Sequence, residues 1–335
     1  MKILIDGRVL SHSKTTGIEI HAIKLIENIR KIINVDIAKP KFTNKYYAHF
    51  WEHFILPYKL RKYDILFCPS NIAPLFVPRK VKLIYTLHDI SFLDFSSNYS
   101  LFFQKYYAFI VPKNLRRADK VITVSKYAKH TILNKYPIEV RDKILYIYNG
   151  VDCFIYQNID YKKDNYILFV GSMSKIKNYK AVIEAYKMIR NQDIKLKMVM
   201  PKIDNLKYDF QMEVKNIELI DFMNQKELFY LYKRAKLFIY PSLYDSFGLP
   251  VLEAMACGTP VVTSNVSSLP EVGGDAVVYC NPNDINDIKD KIEMVLDDEK
   301  LQEELRQKGL QRAKEFSWEK SASKHIKVFQ EVMRS

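Results

Sequence analysis

The sequence predicts an α/β protein built from two doubly wound parallel-sheet domains. Three observations predict this. Short apolar, β-branched runs alternate with helical patterns from end to end. Eleven such runs are too many for one sheet of this kind. A chain of 335 residues holds about two domains at ~150 residues each, both large enough for a core. Strands buried on both faces and separated by helices form parallel sheets from βαβ units.

In the first half the expected strands are 2–6, 63–68, 81–86, 120–124 and 144–147, with helices over 17–31 and 126–135. In the second half they are 166–170, 195–200, 217–219, 237–240, 260–263 and 276–279, with helices over 179–190, 225–233 and 249–257. Three helical segments, 283–296, 300–316 and 318–334, close the chain. The break falls where the Asn149-Gly150 turn leads into the polar stretch 157–165. The expected domains are 1–155 and 160–317, facing across a cleft, with the helix at 318–335 packing back onto the first. Ligands of such sheets bind at the carboxyl ends of the strands.

Composition narrows the class. Hydrophobic residues are 48% and charged residues 27%, an ordinary globular balance that excludes fibrous and disordered chains. No run approaches the ~18 apolar residues of a membrane-spanning helix. Only Ile3-Leu4-Ile5 precede Asp6 at the start, so no signal peptide is expected. Cys68, Cys153, Cys257 and Cys280 lie far apart without a C-x-x-C pair, and a reduced cytoplasmic protein is the expectation. The net charge of +14 is one-sided: residues 1–152 carry 25 bases against 12 acids, and residues 153–335 carry 27 against 26. A basic half points to an anionic partner (nucleic acid, an anionic lipid surface or a phosphorylated substrate), or serves solubility alone.

The nine glycines are few enough for position to matter. Gly17 opens the first long helix, Gly171 ends the first strand of the second domain, and Gly248 and Gly258 bracket a helix. Glycine at a strand–helix junction lets backbone approach a ligand, and the helix N-terminus offers free N–H groups to an anion. The alternative is that each simply turns the chain. The most informative junction is Tyr240-Pro-Ser-Leu-Tyr-Asp-Ser-Phe-Gly-Leu-Pro-Val-Leu-Glu253. A strand ends at Pro241, Pro250 suits the first helical turn, and the amides of Phe247, Gly248 and Leu249 are placed to meet a pyrophosphate or sugar hydroxyls. Asp245 lies in the loop, and Glu253 in the helix either binds ligand or offsets the helix dipole.

This segment resembles the sugar-donor motif of retaining glycosyltransferases of family 4, which have the GT-B fold of two facing Rossmann-like domains. That family carries two glutamates around F-G-L-P; here the first is Asp245 and the second is Glu253. The flanks 253–264 and 267–273 match closely, the latter in the manner of mannosyl- and rhamnosyltransferase-like members. Residues 166–170, Gly171-Ser172 and Lys177-Asn178 resemble the first strand and phosphate-binding loop of the family's donor domain, with Ile176 where an arginine is common. Thr16-Gly17-Ile18 is similar to the glycine loop of its acceptor domain, followed here by Glu19-Ile20 instead of Gly-Arg. Residues 86–90, 118–125, 149–152 and 316–318 resemble further markers in the same order.

The resemblance implies a hexosyltransferase that uses a nucleotide sugar, GDP- or UDP/dTDP-linked, with GDP-mannose favoured. The implied acceptor is a glycan or lipid-linked glycan of surface polysaccharide (O-antigen, capsule or lipopolysaccharide). It implies that Lys177 neutralises the diphosphate, Asp245 contacts the sugar, Glu253 holds the ribose, and His88 reaches the sugar from the opposite domain. Gly17, Ser172, Ser246, Phe247, Gly248 and Leu249 complete the implied set. No cofactor and no metal are expected, since the sequence contains no D-x-D. Independently of the family, His49 and His53 share a helix face at ligand-like spacing, but no third ligand is evident and the aromatic neighbours favour a packed amphipathic helix.

Two aromatic-basic stretches, 41–62 and 101–117, lie in the basic half. The second puts Lys105, Lys113, Arg116 and Arg117 on one helical face with Phe102, Tyr106 and Phe109. Bases mixed with aromatics suit a membrane surface, stacked nucleic-acid bases, or core packing with snorkelling lysines. The expectation is an enzyme lying peripherally on the anionic inner face of the cell membrane, without a nucleic-acid partner. The competing readings are a basic nucleic-acid-binding protein and a non-catalytic glycan-binding relative.

Overall fold

All strand pairings among the described residues are parallel, within two six-stranded sheets. The structure is a computed structural model that describes residues 1–11, 17–42, 44–95, 100–136, 138–152, 162–200, 216–221 and 223–334. Thr16, Cys153 and most of the expected polar linker lie outside these residues. The chain divides into two compact units, residues 1–150 with 316–335, and residues 151–315.

The first unit contains β1 (Ile3–Asp6), β2 (Asp36–Ala38), β3 (Ile65–Cys68), β4 (Lys82–Thr86), β5 (Lys120–Thr123) and β6 (Ile144–Tyr146), in spatial order β2-β1-β3-β4-β5-β6. Its helices include α1 (Gly17–Arg30), α2 (Lys45–Phe50), α3 (Leu56–Lys59), α4 (Ser91–Asp94), α5 (Leu101–Arg117) and α6 (Lys126–Lys135), with a π-helical turn at Trp51–Ile55 between α2 and α3. β1 and β3 are buried at every position, as strands covered on both faces must be. Ser100 and Ser125 start α5 and α6 by accepting the amides of Phe103 and Ala128, satisfying N–H groups that the helix leaves unpaired. β2 is absent from the hydrophobic pattern because its three residues, Asp36-Ile37-Ala38, open on an exposed aspartate, whereas the equally short β6 and β12 are apolar throughout.

The second unit contains β7 (Tyr166–Val170), β8 (Lys195–Val199), β9 (Ile217–Ile220), β10 (Leu237–Tyr240), β11 (Val261–Ser264) and β12 (Val278–Cys280). Its helices are α7 (Tyr179–Met188), α8 (Gln225–Arg234), α9 (Leu249–Ala256), α10 (Leu269–Gly273), α11 (Ile285–Leu296) and α12 (Glu299–Ala313). The spatial order is β12-β11-β10-β7-β8-β9. The chain winds outward from β7 to β9, returns to the centre at β10 and winds the other way to β12. The strand order therefore reverses between β7 and β10, and in the first unit between β1 and β3. At such a reversal the loops leaving two neighbouring strands part, which opens the crevice where doubly wound sheets bind ligands.

Cys68 and Cys280 are free and buried, but Cys257 is disulfide-bonded. This corrects the expectation of four reduced thiols: bridging depends on approach in space, on which spacing along the chain is silent. Among the described residues no helix is long and apolar enough to cross a membrane.

The last helix, α13 (Trp318–Arg334), belongs to the first unit and packs on α1. Its buried stripe includes Trp318, Ala322, His325, Ile326 and Phe329, at the i, i+4, i+7, i+8 and i+11 spacing of one helix face. The Phe329 ring lies 5.2 Å from that of Phe67 on β3. Gly150 permits this packing, because a Cβ there would lie 2.1 Å from the Trp318 amide nitrogen. Gly150→Ala should therefore destabilise the first unit by about 1–3 kcal/mol, the scale of forced overpacking. Chemical denaturation followed through Trp51 and Trp318 fluorescence checks it, and an unchanged midpoint would contradict this docking of α13.

Candidate functional site

Three loops converge at the reversal between β7 and β10. The loop after β7 runs from Gly171 into a single 3-10 turn, Lys175–Lys177, capped by Ser174, whose hydroxyl accepts the Lys177 amide; the Ser172 hydroxyl lies 3.1 Å from that of Ser174. Asn178 follows in the left-handed region at φ 56°, a conformation asparagine tolerates better than most residues. Its side-chain amide donates to the carbonyls of Pro241 at 3.0 Å and Pro282 at 2.7 Å, so it ties together the chain leaving β7, β10 and β12. Ile176 is buried, and its carbonyl accepts the Leu243 amide at 2.8 Å. The position that the resembled motif commonly fills with an arginine thus faces the packed interior.

The loop after β10 presents Asp245. Its amide donates to Ser267 Oγ at 2.9 Å, and its carbonyl accepts from Ser268 Oγ at 2.9 Å, so the third loop, which follows β11, pins its backbone. The carboxylate Oδ2 lies 2.7 Å from Lys177 Nζ and accepts from the Tyr240 hydroxyl at 2.6 Å. Oδ1 accepts from the amides of Gly248 at 3.1 Å and Phe247 at 3.3 Å. Burial alone would raise the Asp245 pKa; the Lys177 charge, aided by the Tyr240 and Phe247 bonds, holds it below the ordinary carboxylate value. Gly248, at φ +94°, is the N-cap of α9, and a Cβ there would also meet Leu269 at 2.7 Å. Two of the three amides assigned to ligand by the sequence therefore serve an internal carboxylate.

Glu253 lies in the second turn of α9, about 7.5 Å along the axis from Gly248 at 1.5 Å per residue. It is buried, and burial pushes its pKa up to about 7, partly opposed by the nearby Tyr232 hydroxyl and reinforced by the Asp152 charge. Ser246 and Leu249 are half-buried and flank the buried Phe247 and Gly248. The structure thus gathers Ser172, Lys177, Asp245, Phe247 and Gly248 into one constellation and sets Glu253 on the helix that leaves it. Tyr240, Asn178, Ser267 and Ser268 belong to the same constellation and were not singled out from sequence; the Lys-Asn pair at a strand-end turn was the one available signal.

Gly17 and His88 lie in the first unit. Gly17 is the exposed first residue of α1. His88 follows β4, is 5% exposed, and its amide donates to Asn71 Oδ1 at 2.7 Å. Burial, reinforced by His21, holds its pKa well below the ordinary histidine value, while a bond to the Pro69 backbone opposes the shift. Its Nε2 has no hydrogen-bond partner among the described residues. It is a neutral imidazole edge able to accept from a hydroxyl.

The sequence expectation that His49 and His53 lack a third ligand is corrected. Glu52 joins them, with one ligand atom from each residue lying within 4.8 Å of the others. Each of the two buried members already has a partner. Glu52 Oε2 is 3.0 Å from Arg8 Nε, and His53 bonds the Tyr106 hydroxyl through Nε2 and the Leu75 amide through Nδ1. A cation would have to displace these bonds beside a guanidinium, so the group fits a hydrogen-bonded network and not a metal site.

Comparison with known proteins agrees with this geometry. Residues 155–312 match the family model of glycosyl transferases group 1, and residues 9–153 that of glycosyltransferase family 4. The chain is similar to O-antigen chain mannosyltransferase B of Escherichia coli, with 30% identity over 76% of this chain and 72% of that protein. It is also similar to O-antigen chain mannosyltransferase RfbU of Salmonella typhimurium, with 33% identity over 59% of this chain and 56% of that protein. Among solved structures, Anabaena HepE in complex with UDP and glucose superposes with a TM-score of 0.77 at 17% identity, covering 99% of this chain and 100% of that one. The two parallel sheets, the constellation at the second reversal and these matches together show that the chain is a glycosyltransferase of GT-B fold belonging to the group 1, family 4 glycosyltransferases.

Proposed function

We propose that the chain transfers mannose from GDP-mannose to a glycan or lipid-linked glycan of a surface polysaccharide such as O-antigen, with retention at the anomeric carbon and without a metal. The observation that carries this reading is the Lys177 ammonium held beside the N-terminus of α9 at the β7/β10 reversal. Glycosyl transfer needs the departing nucleoside diphosphate stabilised, and a preorganised ammonium with a positive helix end supplies this without a divalent ion. Mannose and the polysaccharide setting are supported by the names of the similar proteins, two of them O-antigen chain mannosyltransferases. The expected experiment is calorimetric titration with GDP in EDTA, followed by assay of a panel of nucleotide sugars. Lys177→Ala should weaken GDP binding by roughly 1–3 kcal/mol, the scale of a charge-assisted hydrogen bond. Equal affinity in both proteins would remove Lys177 from the site, and turnover that requires added metal would overturn the metal-free mechanism.

Glu253 is assigned to the ribose hydroxyls. A hydroxyl donates best to the ionised carboxylate, whose proton is lost near pH 7 in the free protein. Below that pH, GDP binding should release a proton, so affinity rises with pH up to about 7 and then flattens. Because GDP itself titrates, the informative quantity is the difference between wild type and Glu253→Gln, which should grow by up to about tenfold per pH unit between pH 5.5 and 7. Parallel pH profiles for the two proteins would show that Glu253 does not sense the nucleotide.

We further propose that the basic first unit docks on anionic lipid. Phe102 and Phe109 on α5 are 73% and 53% exposed, so they are not core residues. Lys113 Nζ lies 4.0 Å over the Phe109 ring, and Lys105 and Arg116 are exposed on the same helix. Phe102 stacks on Tyr106, whose ring meets those of His49 and His53. This brings exposed Phe50 and Phe54 beside α5. Arg117 is removed from the expected basic face: its guanidinium turns inward to the carbonyls of Pro78 at 3.0 Å and Val81 at 2.9 Å. Vesicle binding should rise with the anionic lipid fraction and fall with salt, as the Debye length drops from about 10 Å at 0.1 M to about 3 Å at 1 M. Replacing Lys105, Lys113 and Arg116 with Gln should weaken it by about 1 kcal/mol per base, with the melting temperature kept. Binding indifferent to lipid charge and salt would overturn the proposal, and salt-sensitive duplex binding in its place would favour a nucleic-acid partner.

A further inference from the structure

Asp245 carries its carboxylate on one methylene, from a backbone pinned on both sides by Ser267 and Ser268. An ionised carboxylate offers about four acceptor directions. Here all four are taken, two at Oδ2 by Lys177 and Tyr240 and two at Oδ1 by the Gly248 and Phe247 amides. A sugar hydroxyl could be accepted only by breaking one of them. Lys177 is in the opposite condition. Its ammonium has three donors, one of which meets Asp245, and its side chain stays 23% exposed against 12% for Asp245. The Tyr240 ring, 5.3 Å below the ammonium, adds a second, non-directional hold.

Resting on the reading of this loop cluster as the nucleotide-sugar site, we propose that Asp245 is a positioning residue that acts through Lys177. It fixes the ammonium at the strand reversal so that the ammonium meets the diphosphate, while the carboxylate itself stays with its four protein partners. A free lysine stem loses rotamer entropy when it binds an anion. Fixing it beforehand moves that cost from binding to folding, which is what preorganisation means for affinity. Two other roles for the same carboxylate make different predictions. A direct sugar contact would act on turnover and not on nucleotide affinity. A carboxylate standing in for phosphate would compete with the nucleotide.

The deciding variant is Asp245→Asn, which keeps the size and one acceptor oxygen for the two amides but loses the charge that holds Lys177. GDP affinity should fall about tenfold and GMP affinity by less than about twofold, since a charge-assisted bond is lost at the second phosphate. The KM for the sugar donor should rise while kcat changes little. In the free protein, acylation of Lys177 by an amine-selective reagent, read by mass spectrometry, should become faster. Tyr240→Phe removes one of the four bonds and keeps the charge; it should shift labelling and GDP affinity in the same direction by a smaller factor, and serves if the Asn variant does not fold. Asp245→Glu should restore most of the GDP affinity. Unchanged GDP affinity with a collapse in kcat, tighter GDP binding, or unaltered Lys177 labelling in both variants would each overturn the proposal. If the wild type binds neither GDP nor UDP, the assignment of the site fails instead, and the labelling comparison still decides whether Asp245 holds Lys177.

Discussion

The reversal of strand order between β7 and β10 is the constraint from which the site follows. Parallel strands place all their carboxyl ends along one edge of the sheet, and only where the winding changes direction do two adjacent strands send their following loops apart. The loop after β7 brings Lys177 to that gap, and the loop after β10 brings Asp245. A lysine and an aspartate 68 positions apart therefore meet at 2.7 Å. Asn178 and the two serines at 267 and 268 turn this meeting into a rigid one, because each bonds backbone in a neighbouring loop. Under the proposed function such rigidity has a use, since a preorganised charge stabilises a leaving group without reorganising at the moment of reaction.

The first unit has a reversal of its own, between β1 and β3, and fills it differently. Asp6 at the end of β1 and Ser70 beyond β3 flank Arg8, which also meets Glu52 from the π-helical turn. These side chains are almost wholly buried, with Arg8 at 5% and Glu52 at 0% exposure. Two carboxyls share one guanidinium; burial, reinforced by the Glu52 charge, pushes the Asp6 pKa well above the ordinary value, and burial raises that of Glu52 as well, opposed by Arg8. The same topological feature thus yields an accessible cationic site in one unit and a sealed ion cluster in the other. Removing either partner of the sealed pair would leave an uncompensated buried charge, the costly case for buried ion pairs.

Charge on the first unit likewise divides by what each base touches. Arg117 and Arg8 bond carbonyls, a hydroxyl or carboxylates in the fold. Lys105, Lys113 and Arg116 stand out from α5 beside exposed rings. The excess of basic residues counts both kinds alike, but only the second kind contributes to a field that an outside surface can meet. Exposed phenylalanines next to lysines are the feature on which the proposed docking to anionic lipid rests.

Much of this protein was legible in its sequence. Apolar, β-branched runs placed eleven of the twelve strands of the described residues, and β2 escaped because Asp36-Ile37-Ala38 opens on an exposed aspartate and holds no apolar run. The motif around Asp245 and Glu253 was legible because tight loops and helix starts restrict residue type locally. What the tertiary structure alone decided are the partners: Lys177 on Asp245, Arg8 on Glu52, Arg117 turned inward, and the bridged state of Cys257. Local sequence governs backbone conformation through sterics and hydrogen bonds over a few residues. The partner of a charge depends on which distant strand ends the sheet order brings together, and no local pattern encodes that distance.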